Sequence, residues 1–268
     1  MSSTPFQAAA LQFQIDVGDV PANRDRAVSR IGEAARMGAR LCVLPEMWST
    51  GFAEDRLPGL CRTTPAVLHE LRTLAASLRT AIAGSLPERV GRGVCNTMYV
   101  INATGVLTGE YRKAHLFTPS GENRWFRRGT SARAVPTDAG LLGPLICYDL
   151  RFPELSRKYW LEGATVLCVA AQWPAVRSSH WEILTVARAV ENQSYLVAAN
   201  AVGPSGPFHY SGGSVIVSPL GERLASLGEE EGIAMATIDP AAVEETRRRI
   251  PCLADRNPRA YRKTRPPG

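Results

Sequence analysis

Two apolar runs in this chain break off at a residue able to do chemistry, a third strand-like run leads to another, and that pattern narrows the folds open to it. Leu141-Leu142-Gly143-Pro144-Leu145-Ile146 stops at Cys147 and is followed by Tyr148-Asp149-Leu150-Arg151-Phe152-Pro153-Glu154-Leu155. Leu41-Cys42-Val43-Leu44-Pro45 stops at Glu46, and a third run, Val106 to Tyr111, is followed by Lys113. Short apolar runs bounded by turn residues read as buried strands, and α/β sheets gather their reactive groups at the carboxyl ends of such strands. At Cys147 a strand meets the opening of a helix. Such an elbow lifts a side chain out of the sheet and leaves nearby backbone N–H groups free to face a developing oxyanion. A thiol attacks as its thiolate, with an ordinary pKa of about 8.5, so it needs a base or a cation beside it. Glu46 and Lys113 offer one of each.

The rest of the chain continues the alternation. A strand over 8–13 precedes a helix over 22–40, where Val28, Ile31, Ala34, Ala35 and Met37 keep close to a 3.6-residue period. A strand at 41–44 and an amphipathic helix at 66–78, led by Thr63-Thr64-Pro65, come next. Strands follow at 81–86, 96–102 and 106–111. Beyond the strand that ends at Cys147 the pattern predicts helix 152–161, strand 165–170, helix 178–193 and strand 195–200. Strands at 214–218, 222–226 and 232–238 and a short helix from Asp239-Pro240 complete it. No linker and no repeat divides the series, so residues 1–268 read as one α/β domain. Mixed βα units with antiparallel hairpins suggest two stacked sheets covered by helices.

Composition excludes several classes of function. Apolar residues make up 45% of 268, enough for a sizeable core. No run approaches the roughly 18 apolar residues of a membrane span, so no membrane partner is expected. The start, Met1-Ser2-Ser3-Thr4-Pro5, lacks the basic region of a signal peptide. Six cysteines show no C-x-x-C pair and no metal-ligand spacing. Cys42 and Cys168 sit inside apolar runs, where a free thiol acts as a small hydrophobe. A reducing cytoplasm fits these features. The net charge of +6 is concentrated at one end: residues 247–268 hold eight Lys/Arg against the single acid Asp255. The body is near neutral, and the basic C-terminal tail has no aromatic interleaving beyond Tyr261, so no nucleic-acid partner is expected. The tail reads as solvated or subunit-contacting. With no Gly-rich phosphate loop and no His/Cys cluster, neither a metal nor an organic cofactor is expected.

Four further segments surround the three reactive ones in order. They are Gly121-Glu122-Asn123, Gln172-Trp173-Pro174, Ala187-Arg188-Ala189-Val190-Glu191-Asn192-Gln193 and Tyr210-Ser211-Gly212-Gly213-Ser214. With them, the chain resembles the nitrilase (carbon–nitrogen hydrolase) superfamily over nearly its whole length. The resemblance implies a four-layer α-β-β-α sandwich and a homodimer or higher homo-oligomer packed through outer helices. It implies Cys147 as nucleophile, Glu46 as general base, Lys113 as the cation on the tetrahedral oxyanion, and the backbone N–H of Tyr148 as second donor. Glu122 matches a further family glutamate that holds the lysine and orients the substrate. His115 reads as structural, since Glu46 already fills the need for a base. Asp149 and Arg151 read as an ion pair bracing the elbow. Trp48, Phe126 and Trp173 fall beside the reactive loops and are expected to line a small-molecule pocket, the alternative for each being a place in the core.

Cys147-Tyr148-Asp149 stands where nitrile-cleaving members usually carry Cys-Trp-Glu. With Leu150-Arg151-Phe152-Pro153-Glu154 it looks like the ω-amidase branch, whose substrates are 2-oxoglutaramate and similar ω-amides of dicarboxylic acids. Arg177, ahead of a helix, is a candidate anchor for a substrate carboxylate, or else an ordinary helix-start arginine. A nitrilase, an N-carbamoyl or ureido hydrolase, and a non-catalytic binding protein on the same scaffold are the alternatives. A lost triad residue would favour the last, and none is lost.

Overall fold

In the computed structural model, which describes residues 4–261, the alternation becomes two six-stranded sheets lying face to face. The first half of the chain forms β1 (Phe6–Gln12), α1 (Val20–Arg36), β2 (Ala39–Val43), α2 (Leu57–Leu60), α3 (Thr64–Leu78), β3 (Ala81–Val90), β4 (Gly93–Ile101) and β5 (Leu107–Arg112). After the short helix α4 (Glu122–Trp125) come β6 (Val135–Thr137), β7 (Gly140–Ile146), α5 (Pro153–Leu161), β8 (Val166–Ala171), α6 (Ser178–Asn192) and β9 (Tyr195–Asn200). The chain closes with β10 (Val202–Ser205), β11 (Phe208–Ser211), β12 (Val215–Val217), β13 (Arg223–Ser226), β14 (Gly232–Ile238), α7 (Pro240–Arg249) and α8 (Cys252–Asp255).

The first sheet runs β14-β1-β2-β3-β4-β5 and the second β13-β12-β9-β8-β7-β6. Each has a parallel centre, β1-β2-β3 or β7-β8-β9, with antiparallel strands outside it. Parallel centres need crossover helices, and those helices cover the outer faces. The layers follow from the two-residue period of a strand. Ala8, Ala10, Leu41, Val43, Ala81 and Ala83 join the core with the second sheet. Their neighbours Ala9, Leu11, Cys42, Leu44 and Ile82 pack instead with Ile31 and Ala34 of α1 and Val67 and Leu71 of α3. On the other side α5 packs on β7 and α6 on β9. The result is the four-layer α-β-β-α sandwich.

Several boundaries differ from the sequence reading. α1 ends at Arg36, before residue 40, because Gly38 adopts φ +95 and Ala39 already begins β2. Behind Cys147 a five-residue 3-10 turn, Cys147–Arg151, precedes the α-helix, which opens at Pro153. A proline tolerates that first helical turn because its missing N–H has no partner there anyway. The β10–β11 hairpin was not foreseen: the stretch from Gly203 to Pro207 is rich in Gly and Pro and carries no alternation. At the start of the basic tail, Arg247 belongs to α7. Its guanidinium donates to Ala164 O (2.6 Å), Ser194 Oγ (3.0 Å) and Gln193 O (3.3 Å), so it is a docked side chain and not a solvated one. The rest of that tail from residue 262, and the residues 1–3 read for a signal peptide, lie outside the described residues. Among the described residues no helix is long and apolar enough to cross a membrane.

Candidate active site

Glu46, Lys113 and Cys147 meet at one end of the sandwich, and they arrive from both sheets. Glu46 lies just past β2, and its N–H donates across to Ala171 O at the end of β8 (3.3 Å). The next residue, Met47, has φ +47, an unfavourable value for a side chain with a Cβ, and its N–H is held by Ser85 Oγ (2.8 Å). The carboxylate itself accepts from Asn96 Nδ2 (2.8 Å) and from the backbone N–H of Gln172 (3.0 Å). Lys113 follows β5 directly, with its N–H on Asn96 O and its carbonyl accepting from Gly129 N–H, each at 2.9 Å. Cys147 follows β7 with φ +44. That left-handed turn is the elbow read from the sequence, and Sγ lies 3.7 Å from Gln172 O.

The Lys113 ammonium is gripped between two carboxylates. Nζ lies 2.8 Å from Glu46 Oε1, and 2.7 and 3.0 Å from the two oxygens of Glu122. Gly121, at φ +80, turns the chain so that Glu122 points inward. Glu122 also accepts the N–H of Phe117, which ties the lysine clamp to the cleft wall. All three side chains are at most 2% exposed. Burial opposes the charge on Lys113, but Glu122, Glu46 and Cys147 outweigh it and hold the ammonium well above its ordinary pKa. For Glu46, burial dominates the opposing Lys113, and with Glu122 nearby the carboxyl rises above its ordinary value. Burial, then the charge of Glu46, pushes the Cys147 thiol well above its ordinary pKa against the pull of Lys113. A site of this kind rests with a neutral thiol, a permanent cation and a strengthened base.

Asp149 does not pair with Arg151 as the sequence suggested. It is fully buried and takes four hydrogen bonds: Tyr111 Oη (2.8 Å), Ile146 N–H (3.0 Å), His115 N–H (3.1 Å) and His115 Nδ1 (2.8 Å). A buried carboxylate collects donors wherever the fold offers them, and here they come from both sides of the site. Asp149 stands two residues after Cys147 and His115 two after Lys113, so the bonds clasp the two reactive loops together. His115 stacks on Phe152 with 3.7 Å between ring centroids. Arg151 turns the other way, to His180 Nδ1 (3.1 Å) and over the Trp173 ring (4.7 Å). From α6, Arg188 Nε reaches the carbonyl of Leu150 (2.9 Å) and braces the same turn.

A cleft of about 50 Å³ opens onto these groups, lined by Glu46, Lys113, Glu122, Cys147, Tyr148, Arg151, Gln172, Trp173 and Arg177, with Phe52, Phe117, Ser120, Pro174, Phe208 and Tyr210 closing it. Tyr148 is the second residue of the 3-10 turn, so its N–H has no acceptor within that turn and remains available beside Sγ. Arg177 sits at the rim with its guanidinium over the Phe117 ring (5.0 Å). Two expected wall residues are elsewhere. Trp48 is sealed in the core beneath α1 and α3, in space left by Gly84, where an added Cβ would lie 3.1 Å from its Nε1. Phe126 packs with Met47, Leu57 and Leu116 and meets Phe52 edge-on at 6.0 Å. Trp173, the third expected wall residue, does line the cleft, and it is joined there by Phe52, which carries no signal in the sequence, and by Tyr210 of the Tyr210–Ser214 motif.

Fold and site together define a carbon–nitrogen hydrolase: the chain belongs to that family, whose model matches residues 7–248. Among individual relatives, it is 37% identical over 251 residues to the 2-oxoglutaramate amidase of Bacillus subtilis, spanning 92% of this chain and 96% of that protein. It is 34% identical to the chloroplastic omega-amidase of Arabidopsis thaliana, over 96% of this chain and 74% of that one. A solved amidase from Nesterenkonia sp. AN1 superposes with a TM-score of 0.86 at 28% identity, covering 98% of this chain and 97% of its own. That structure is of a mutant of the amidase and shows covalent addition of the acetamide moiety of fluoroacetamide at its active-site cysteine.

Proposed function

We propose that this protein hydrolyses the ω-amide of a small dicarboxylic acid, 2-oxoglutaramate or a close analogue, to the acid and ammonia through a thioester on Cys147. The observation that carries the reading is the buried Glu46–Lys113–Glu122 cluster beside a thiol at a strained elbow, at the base of a small cleft with Arg177 on its rim. As Sγ attacks the amide carbon, Glu46 takes the thiol proton and the carbonyl electrons move onto oxygen. Lys113 Nζ and the Tyr148 N–H receive that oxyanion. Glu46 then protonates the nitrogen, the C–N bond breaks and ammonia leaves a thioester. Water loses a proton to Glu46, adds to the thioester carbon, and collapse returns the sulfur and its proton to Cys147. Glu122 holds Lys113 in place, and Arg177 pairs with the far carboxylate.

In this reading residues 1–268 act as one catalytic unit without a metal or organic cofactor. Ile183 and Val190 of α6 are 65% and 46% exposed, and Leu220, next to the Gly221 that packs on Val190, is 66% exposed. An apolar face of that kind on an outer helix supports a homodimer. The cysteines are all unpaired, which supports a reducing compartment such as the cytoplasm. Ammonia release across ω-amide acids, N-carbamoyl amino acids and nitriles at equal concentration tests the substrate class. Fastest turnover of an ω-amide acid, with an acyl adduct on intact Cys147 protein and none on Cys147→Ala, is the expected result. Faster turnover of nitriles or carbamoyl compounds, or ammonia release by Cys147→Ala, overturns it.

A further inference from the structure

One buried hydroxyl in the cleft has no part in that sequence of steps. Tyr210 lies on β11, paired with Gly203 of β10, and its backbone also bridges to Pro174 in the loop after β8. The hairpin is thereby pinned to the segment that carries Gln172 and Trp173. The residue is only 3% exposed, yet its ring lines the cleft that holds Glu46, Lys113 and Cys147. Among the described residues Oη has no hydrogen-bond partner. The Tyr159 hydroxyl is also unpartnered, but it is shut inside the core. That of Tyr210 opens onto the space a substrate would fill. Burial first, then the charges of Glu46 and Cys147, push its pKa above the ordinary phenol value, so it stays a protonated donor.

A lone donor on a buried wall finds its acceptor in a ligand. The reacting carbonyl oxygen already has Lys113 and the Tyr148 N–H, and Glu46 serves the nitrogen. The acyl chain is what remains. We propose that Tyr210 is a specificity-determining residue, its hydroxyl donating a hydrogen bond to an oxygen carried by the substrate's acyl chain beyond the scissile amide. This rests on the amidase reading above and deepens it: the preferred substrate bears an acceptor oxygen on its acyl chain, the position that the 2-oxo group and the carboxylate of an ω-amide acid supply.

Tyr210→Phe removes the hydroxyl and keeps the ring. The test measures kcat/KM for 2-oxoglutaramate, glutaramate and valeramide, a five-carbon series in which the last has no acyl oxygen, together with Tm. The expected result is a loss on the order of tenfold on an oxygen-bearing amide relative to valeramide, the scale of one hydrogen bond to an otherwise unmet group, with Tm unchanged or raised. An equal loss on all three amides, no loss on any, or a lowered Tm that marks the hydroxyl as structural overturns the inference. A wild type idle on all three amides removes the amidase reading and this inference with it. An active wild type whose profile Tyr210→Phe leaves unchanged removes the inference alone.

Discussion

Asp149→Asn should cost this protein both stability and rate, and the geometry sets the amount. One carboxylate oxygen takes Tyr111 Oη and Ile146 N–H, and the other takes His115 N–H and His115 Nδ1. An asparagine must turn its NH2 toward one of these pairs. If it faces the first, Tyr111 can reverse its hydroxyl and accept, but the N–H of Ile146 is left unmet. If it faces the second, His115 can change tautomer and accept at Nδ1, but its own backbone N–H is orphaned. Either way one buried backbone donor goes unpaired, a cost of about 1–3 kcal/mol. The charge-assisted bonds weaken as well, partly offset by no longer burying a charge. A net loss of about 2–3 kcal/mol results, which at roughly 2–4 °C per kcal/mol for a chain of this size lowers Tm by about 4–12 °C. Because the same bonds join the loops of Cys147 and Lys113, kcat should fall even well below the unfolding range. Urea titration, with the slope m unchanged, gives the first quantity, and steady-state ammonia release gives the second. A loss under about 1 kcal/mol with full kcat would refute the clasp.

Lys113→Ala should lower kcat by at least about a hundredfold, the scale of a lost oxyanion donor; a change confined to KM would mean that the lysine only binds substrate. Glu46 must be ionised to act and its pKa is raised, so the acid limb of kcat/KM against pH should lie above the ordinary carboxylate value of 4.5, and a limb at or below 4.5 contradicts the assignment. The stability linkage has the matching sign: the neutral form of Glu46 is favoured on folding, so its contribution is full below pH 4.5 and is lost as pH rises through the folded value. For the homodimer proposed above, Ile183→Asp on the exposed face of α6 should shift sedimentation from dimer to monomer, and an unchanged coefficient or a wild type that sediments as a monomer contradicts that proposal.

Glu46, Lys113 and Cys147 were legible in the sequence because each ends or follows a strand, and the end of a strand is fixed by a local run of residues. What those residues touch depends on how the two sheets oppose each other, and no local pattern carries that. Asp149 was therefore paired with its sequence neighbour Arg151, when its partners Tyr111 and His115 come from the other sheet. The same limit explains Trp48 and Phe126. An aromatic side chain beside a reactive loop can turn toward the cleft or into the core, and here Gly84 leaves Trp48 its space in the core. The hairpin carrying Tyr210 escaped notice because glycine and proline hide the alternation of a strand.

The machinery is divided between the two sheets. Glu46 and Lys113 ride on one sheet, Cys147 and Gln172 on the other, and neither sheet alone holds a working set. Turnover is thereby a gauge of how the sheets sit on one another, and much of the surface between them is alanine: Ala8, Ala10, Ala81 and Ala83 face inward from the first sheet. A methyl group added there pries the layers apart and desynchronises nucleophile from base. The same change on the helix-facing side of a strand strains only the packing beneath α1 and α3. Outside Arg188, which reaches the Cys147 turn from α6, changes on the outer helices should therefore cost less rate than a methyl added between the sheets, where small residues keep the chemistry in register.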